Sequence, residues 1–250
     1  MNKSNKLVIL MSVVLLFAVF VVTKLFCSDD DNRDDIKHDS EAEKDNTENN
    51  TEYKAVVVLD AGHGGADPGK VGVDGQLEKD INLQITLKLK EILEKDEEFK
   101  IKVILTRTDD NGLYSESDSN KKIADMKKRC EIANTSGADI VVSIHQNSYH
   151  SSAVKGAQVF YYKGSEKGKL LEGNIQNKLV EELAEGEKGR VEKANDNYYL
   201  LLNVDSPAVI VECGFLSNPG EAAALADSTY QERIAVAVAD GIKEYLGAVQ

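Results

Sequence analysis

Five short apolar runs, rich in valine and isoleucine, constrain this chain more than any other feature: residues 55–60 (AVVVLD), 101–106 (IKVILT), 139–145 (DIVVSIH), 157–162 (AQVFYY) and 208–213 (AVIVEC). Runs of this length and β-branched content read as strands buried on both faces. Between them lie segments with apolar residues at helical spacing: 78–95, 121–135, 166–184 and 230–245. Alternation of the two kinds predicts an α/β fold, with a mostly parallel central sheet and helices on both faces, in a single catalytic domain. No internal repeat is visible. The stretch YYLLLN at 198–203 reads equally well as a short strand or as the edge of a pocket.

The flanks bound that domain to residues 53–250. Residues 1–27 carry an apolar stretch behind Lys3 and Lys6. This suits a signal peptide, or a membrane anchor that is retained because no A-x-A-like cleavage site follows. Phe26 ahead of Cys27 matches a lipoprotein cleavage site poorly. Residues 28–52 are dominated by Asp and Glu, and Ile36 is their one large apolar residue, so they cannot offset their ordering entropy and read as an acidic disordered tether. His38, inside the tether, reads as solvated. The formal net charge is −13, and the domain stays acidic once both flanks are removed. That argues against a nucleic-acid partner, which needs clustered positive charge, and leaves a sugar polymer open as substrate. Cys27, Cys130 and Cys213 are too few and too scattered for a disulfide framework.

Ligands of open α/β sheets gather at the carboxyl ends of the strands. His63 follows the first predicted strand, His145 ends the third, Glu212 ends the last, and Glu78 opens the first helix. Two imidazoles and one carboxylate are a common catalytic zinc set that leaves a fourth position open. We therefore expect His63, Glu78 and His145 to hold Zn2+, and Glu212 to act as the general base that takes a proton from the attacking water. Glu212 is the hardest to explain otherwise, because an unpaired charge within the apolar run AVIVECGF is costly. Gly62, Gly64 and Gly65 let the loop turn tightly around His63. Each residue taken alone has a plainer reading. The glycine loop also fits a simple turn, although it lacks the Lys-Ser/Thr of a phosphate loop. Glu78 also fits a helix-dipole role, and His145 a structural histidine. His150, in a serine-rich loop, reads as exposed. Asp60 fits either a hydrogen bond to a ligand histidine or a cap on the following loop.

The ordered set LDAGHGG, LEKDINL, LTRTDD, DIVVSIHQN, GAQVFYY and VIVECGFLSNPGEAAAL resembles the zinc-dependent N-acetylmuramoyl-L-alanine amidases of bacterial cell walls, the amidase_3 family, over essentially the whole domain. The resemblance implies zinc ligands at His63, Glu78 and His145 and a catalytic glutamate at Glu212, the same assignment reached from the chemistry. Departures are small: Ala61 stands where a proline is common, and Ser148 where alanine is usual. The resemblance further implies a peptidoglycan substrate cut between N-acetylmuramic acid and L-alanine, and an extracytoplasmic location in the cell envelope, anchored by the N-terminal segment or secreted. It is strongest to the sporulation-type enzymes that prepare muramic-δ-lactam in spore cortex. Division-type relatives carry an autoinhibitory insertion after the second histidine; only ten residues separate His145 from Gly156 here, too few for a blocking helix. Any activator protein is unspecified. Asn147 and Asn218 are candidate substrate contacts by resemblance, with loop-stabilising roles as the alternative. Arg107 and Arg129 could meet peptide carboxylates, although structural salt bridges suit them better. Two rival functions fit parts of the pattern. One is a metallopeptidase acting on wall peptides, whose first two ligands usually lie closer together than His63 and Glu78. The other is a catalytically inactive, membrane-tethered wall-binding protein.

Overall fold

The structure, a computed structural model, describes residues 52–184 and 189–249. The expected membrane segment and almost all of the acidic tether lie outside these residues. Among the described residues no helix is long and apolar enough to cross a membrane.

The chain runs β1 (Ala55–Ala61), α1 (Glu78–Glu94), β2 (Ile101–Leu105), α2 (Lys121–Thr135), β3 (Ile140–Asn147), β4 (Gln158–Tyr162), α3 (Glu166–Leu183), β5 (Lys193–Asn195), α4 (Tyr199–Asn203), β6 (Ala208–Phe215), α5 (Pro219–Ala226) and α6 (Ser228–Val249). One six-stranded sheet has the order β2-β1-β3-β6-β4-β5. Strands β2, β1, β3 and β6 are mutually parallel, while β4 lies antiparallel to β6 and carries β5 parallel to itself. The reversal follows from the β3–β4 connection: residues 148–157 contain no helix to carry the chain back across the sheet. The mostly parallel α/β arrangement is therefore as the sequence predicts.

Side chains alternate between the faces of each strand, so the two cores can be read from residue parity. Val57 and Leu59 of β1, Ile140, Val142 and Ile144 of β3, and Val209 and Val211 of β6 pack with Ile85 and Leu89 of α1, Ile175 of α3 and Ile234 and Val238 of α6. The close packing of α3 on α6 leaves no room for a side chain at Gly241, whose Cβ would come within 2.6 Å of the Ile175 backbone. Val58, Val141, Ala208 and Ile210 point the other way and meet Ala133 of α2 with Leu200 and Leu201 of α4. Both faces are covered, as all-apolar strands require.

Three features went beyond the sequence reading. Residues 199–203 form the short helix α4, whereas YYLLLN was open between a strand and a pocket edge. Helix α5 was not anticipated, although its start is written in the chain: Asn218 caps it by accepting from the Glu221 amide, and Pro219 takes the first turn, where a missing N–H costs nothing. Strand β5 has only three residues and no periodicity to detect.

Glu172 of α3 is fully buried, and neither of its carboxylate oxygens has a hydrogen-bond partner among the described residues. Burial, then the nearby Glu192 charge, pushes its pKa up to about 8, against the opposing pull of Lys193 and Lys169. The native state thus holds a proton that the unfolded chain releases near pH 4.5. Native protonation exceeds unfolded protonation throughout that window, so this group makes stability fall as pH rises from about 4.5 to about 8. Glu172→Gln is expected to remove that part of the pH dependence and to stabilise the fold above pH 7 by about 1–3 kcal/mol, because the amide carries no charge for burial to penalise, at about 1.4 kcal/mol for each unit of raised pKa. Denaturant unfolding of both proteins at pH 5.5 and 8.5 measures it; parallel losses in the two would refute it.

Candidate metal centre

Strand β1 ends in a loop whose backbone is over-determined. Gly62 is required because a Cβ there would lie 2.2 Å from Cε1 of His145. His63 adopts φ 62°, a conformation that non-glycine residues rarely take. It is held there from behind. Arg129 donates from Nη2 to the His63 carbonyl at 2.6 Å and from Nη1 to the Ala61 carbonyl at 2.7 Å. Arg107 donates to the Ala61, Gly62 and Lys79 carbonyls at 2.8–3.0 Å. Gly69 completes the loop with φ 68°, and a side chain there would collide with Glu78 and His63.

Parity brings the second histidine and the second glutamate to the same place. His145 of β3 and Glu212 of β6 are register partners in the parallel ladder, and both share the face of Ser143 and Ile210. Glu78, the first residue of α1, enters from the other side of the loop. One ligand atom from each of His63, Glu78 and His145 lies within 4.8 Å of the others. Glu78 Oε1 is 3.1 Å from His63 Nε2 and 2.9 Å from His145 Nδ1. The rings meet edge to face with centroids 5.0 Å apart. Behind this group, Glu78 accepts from the Lys70 amide at 2.7 Å and the Gln146 amide at 3.1 Å. His63 Nδ1 is 2.9 Å from Asp67 Oδ2. That bond fixes the ring and leaves Nε2 turned to the cluster.

Electrostatics separate the two glutamates. Burial alone would raise Glu78, but His145 and His63 hold its carboxyl far below the usual range. Burial pushes Glu212 up to about 6, with the Glu78 charge adding to the rise and His145, His63 and Lys70 opposing it. Glu212 Oε2 is buried without a hydrogen-bond partner among the described residues. Two imidazole nitrogens, an anionic oxygen and an unpartnered carboxylate nearby fit a divalent, borderline-soft ion such as zinc, with a proton acceptor beside it.

These groups line a cleft of about 740 Å³, together with Tyr114, Lys121, Lys122, Asn147, Tyr198 and Tyr199. Tyr198 packs edge to face on Phe160, and burial with the Glu212 and Glu78 charges pushes its phenol up to about 12. The structure brings His63, Glu78, His145 and Glu212 together as expected from sequence. The remaining candidates differ. Arg129 lines the cleft but is 1% exposed, and its guanidinium is bound to Asp60, Asp125 and two carbonyls. Arg107 is buried with its donors on backbone carbonyls. Asn147 lies on the cleft wall and accepts from the Ser148 amide. Asn218 caps α5 and donates to the Ser152 carbonyl. Asp60 bonds neither ligand histidine: Thr106, Ser143 and Arg129 take its oxygens. The residue that does support a histidine is Asp67, which the sequence reading missed. It sits in an irregular loop, where a four-residue offset carries no periodic signal. His150 is exposed and stacks on Tyr149, as expected of it.

Comparisons with known proteins agree with this geometry. The Amidase_3 family, described as N-acetylmuramoyl-L-alanine amidase, matches residues 57–244. The germination-specific N-acetylmuramoyl-L-alanine amidase of Bacillus subtilis is 35% identical over 76% of this chain and 79% of its own. The CwlD amidase of Clostridioides difficile, solved in complex with the GerS lipoprotein, is 44% identical with a TM-score of 0.74, covering 78% of this chain and 99% of that one. An N-acetylmuramoyl-L-alanine amidase of Clostridium difficile 630 is 31% identical with a TM-score of 0.70, covering 80% and 100%. The chain belongs to the Amidase_3 family of N-acetylmuramoyl-L-alanine amidases.

Proposed function

We propose that this chain is a zinc-dependent N-acetylmuramoyl-L-alanine amidase acting outside the cytoplasm on spore cortex peptidoglycan, where its cut prepares muramic-δ-lactam. The observation that carries the chemistry is the convergence of His63, Glu78 and His145 beside Glu212, whose buried Oε2 has no hydrogen-bond partner among the described residues. The cortex role rests on similarity to the germination-specific enzyme and to CwlD. A lipoprotein partner, of the kind bound to that CwlD, belongs to the same proposal.

His63, Glu78 and His145 would hold the zinc, which when bound polarises a carbonyl and lowers the pKa of water. Glu212 accepts a proton from the water as its oxygen attacks the lactyl carbonyl carbon. It then gives that proton to the L-alanine nitrogen as the C–N bond breaks, leaving a free carboxylate on muramic acid and a free amine on the peptide. Asp67 keeps His63 in one tautomer, and the Lys70 and Gln146 amides keep Glu78 ionised and oriented. Mass analysis of digested muropeptides, with and without a chelator, tests the reaction. A wall peptidase would leave the muramic acid to alanine bond intact.

Removing both histidines, His63→Ala with His145→Ala, is expected to abolish stoichiometric zinc in a folded protein, and Asp67→Asn to weaken zinc by about 10- to 100-fold. Metal analysis after dialysis measures both; full zinc in the folded double variant would sink the ligand assignment. The two glutamates are expected to fail differently. Glu212→Gln keeps its zinc and loses turnover by about two to four orders of magnitude, the usual worth of a general base. Glu78→Gln loses metal first and regains part of its activity at high zinc concentration. Zinc content and muropeptide release distinguish the cases, and the reverse pattern would exchange the two roles.

A further inference from the structure

The cleft carries an imbalance of charge that the amide-cleaving groups do not use. Its carboxylates are nearly all engaged: Asp60 and Asp125 by Arg129, Asp67 by His63, and Glu78 by both histidines. Two of its cations are not. Lys121 reaches Glu116 at 2.8 Å and lies over the Tyr114 ring. Lys70 and Lys122, both exposed and both on the cleft wall, form no ion pair among the described residues. Two free ammonium groups facing one cleft are unexpected in a chain with a net charge of −13.

Their placement also runs against local stability. Lys121 and Lys122 open α2, and its first turn holds no acid. Cations at a helix N-terminus oppose the macrodipole. The first turns of α1, α3 and α5 each hold an acidic residue, while that of α6 holds neither an acid nor a lysine. Lys121 is compensated by Glu116, but Lys122 has no ion pair among the described residues, and a ligand in the cleft can supply one. The two lysines flank the reaction groups from different elements. Lys70 follows the β1 loop, and its charge is felt by Glu212; Lys122 stands on α2, and its charge is felt by Asp67. An anionic group close to the scissile bond would therefore meet one ammonium from each side.

Building on the amidase reading, we propose that Lys70 and Lys122 form a carboxylate subsite that selects muramyl peptides whose stem bears a free acid group near the cleaved amide, over those in which that acid is amidated. Long-stemmed ammonium groups on the rim suit this task, because they attract by charge and adapt in position without requiring a fork geometry. The subsite acts on substrate capture and leaves proton transfer to Glu212.

The test uses the full chain and two synthetic ligands, a disaccharide carrying L-alanyl-D-glutamate with its γ-carboxyl capped as the methylamide and its α-carboxylate free, and the same compound with the α-carboxyl as the carboxamide. Binding is measured in a Glu212→Gln background, and kcat/KM in the active protein, for Lys70→Gln, Lys122→Gln, the double variant and Lys122→Arg. The unmodified lysines are expected to favour the acid by about 3- to 10-fold, in line with exposed charge pairs. The double variant is expected to lose that preference in equilibrium binding and in KM, Lys122→Arg to keep it, and added salt to erode it. Equal binding of acid and amide by the unmodified chain, or equal losses on both ligands in the double variant, would overturn the subsite. Amine release without any preference would leave the amidase reading standing and remove the subsite. A preference in binding with no amine release from the active chain would do the opposite.

Discussion

Arg129 stands where strand β1, helix α2 and the loop of the site meet, and the position of each depends on it. Its guanidinium is 1% exposed and spends its donors on four groups: Asp60 at 2.6 Å, Asp125 at 2.5 Å, and the carbonyls of Ala61 and His63. A planar fork with five N–H donors can do this; a lysine ammonium cannot reach the same set in one geometry. Charge matters as much as shape. Burial would raise Asp60, yet Arg129, with Ser143, His145 and Thr106 adding to it, holds the Asp60 carboxyl down at about 2. Removing one partner from such a buried pair costs about 3–5 kcal/mol, because the other charge is left without a partner. Here the loss would reach the site as well. The positive φ of His63 persists because Arg129 and Arg107 hold the carbonyls of residues 61–63, and strain of this kind survives where its surroundings over-determine it.

The sheet supplies the other half of the site through strand parity. On the face covered by α2 and α4, the row nearer the strand beginnings is apolar: Val58, Val141 and Ala208. Continuing along the same face brings Asp60, Ser143, His145 and Glu212, at the carboxyl ends where the cleft opens. A one-residue slip of β6 against β3 would turn Glu212 into the opposite core and bring an apolar neighbour to the cleft. The buried apolar rows on both faces thus fix the register, and the register places the Glu212 carboxylate at the cleft. Glu78 needs no strand. It is set by the first turn of α1, whose own N-terminus favours a negative charge there.

Much of this was legible in the chain because it rests on short-range signals. Valine-rich runs announce buried strands, and an acid or histidine at the end of such a run is conspicuous because burial there is costly. His145 and Glu212 stand out for that reason, and His63 for the glycines beside it. Long-range pairing was not legible. Nothing local tells that Arg129, on a helix about seventy positions from Asp60, reaches across to it, so its role was open between substrate and salt bridge. Asp60 was misread for the same cause: its partners Thr106 and Ser143 come from β2's end and β3 and are set by tertiary register. Asp67 and Lys70 lie in a loop with no periodicity, and the contribution of Lys70 to Glu78 is a backbone amide that any residue but proline would offer. The start of α5 was readable from Asn218 and Pro219, yet the same asparagine also fitted a substrate contact, and both readings use the same side-chain oxygen.

Two buried carboxylates on one face of the sheet, Asp60 and Glu212, end with opposite properties, and the cause lies in their neighbours. Both are at most 9% exposed. Asp60 is surrounded by donors and lies at about 2, so it stays ionised and serves as an anchor. Glu212 is flanked by apolar strand neighbours and faces the negative Glu78, so it lies at about 6, and one of its oxygens is left unpartnered. An unsatisfied carboxylate oxygen costs about 1–3 kcal/mol, and a salt bridge from a residue such as Arg129 would relieve that cost. It would also remove the affinity for a proton that general base catalysis requires, because a tightly paired carboxylate is too weak a base near neutral pH. Tyr198 shows the same field from the other side: it lies close enough to feel both glutamates, and its phenol is driven toward the protonated form. The fold therefore places its arginine on Asp60 and keeps it from Glu212. Strand order gives this separation, since Asp60 and Glu212 sit on strands divided by β3.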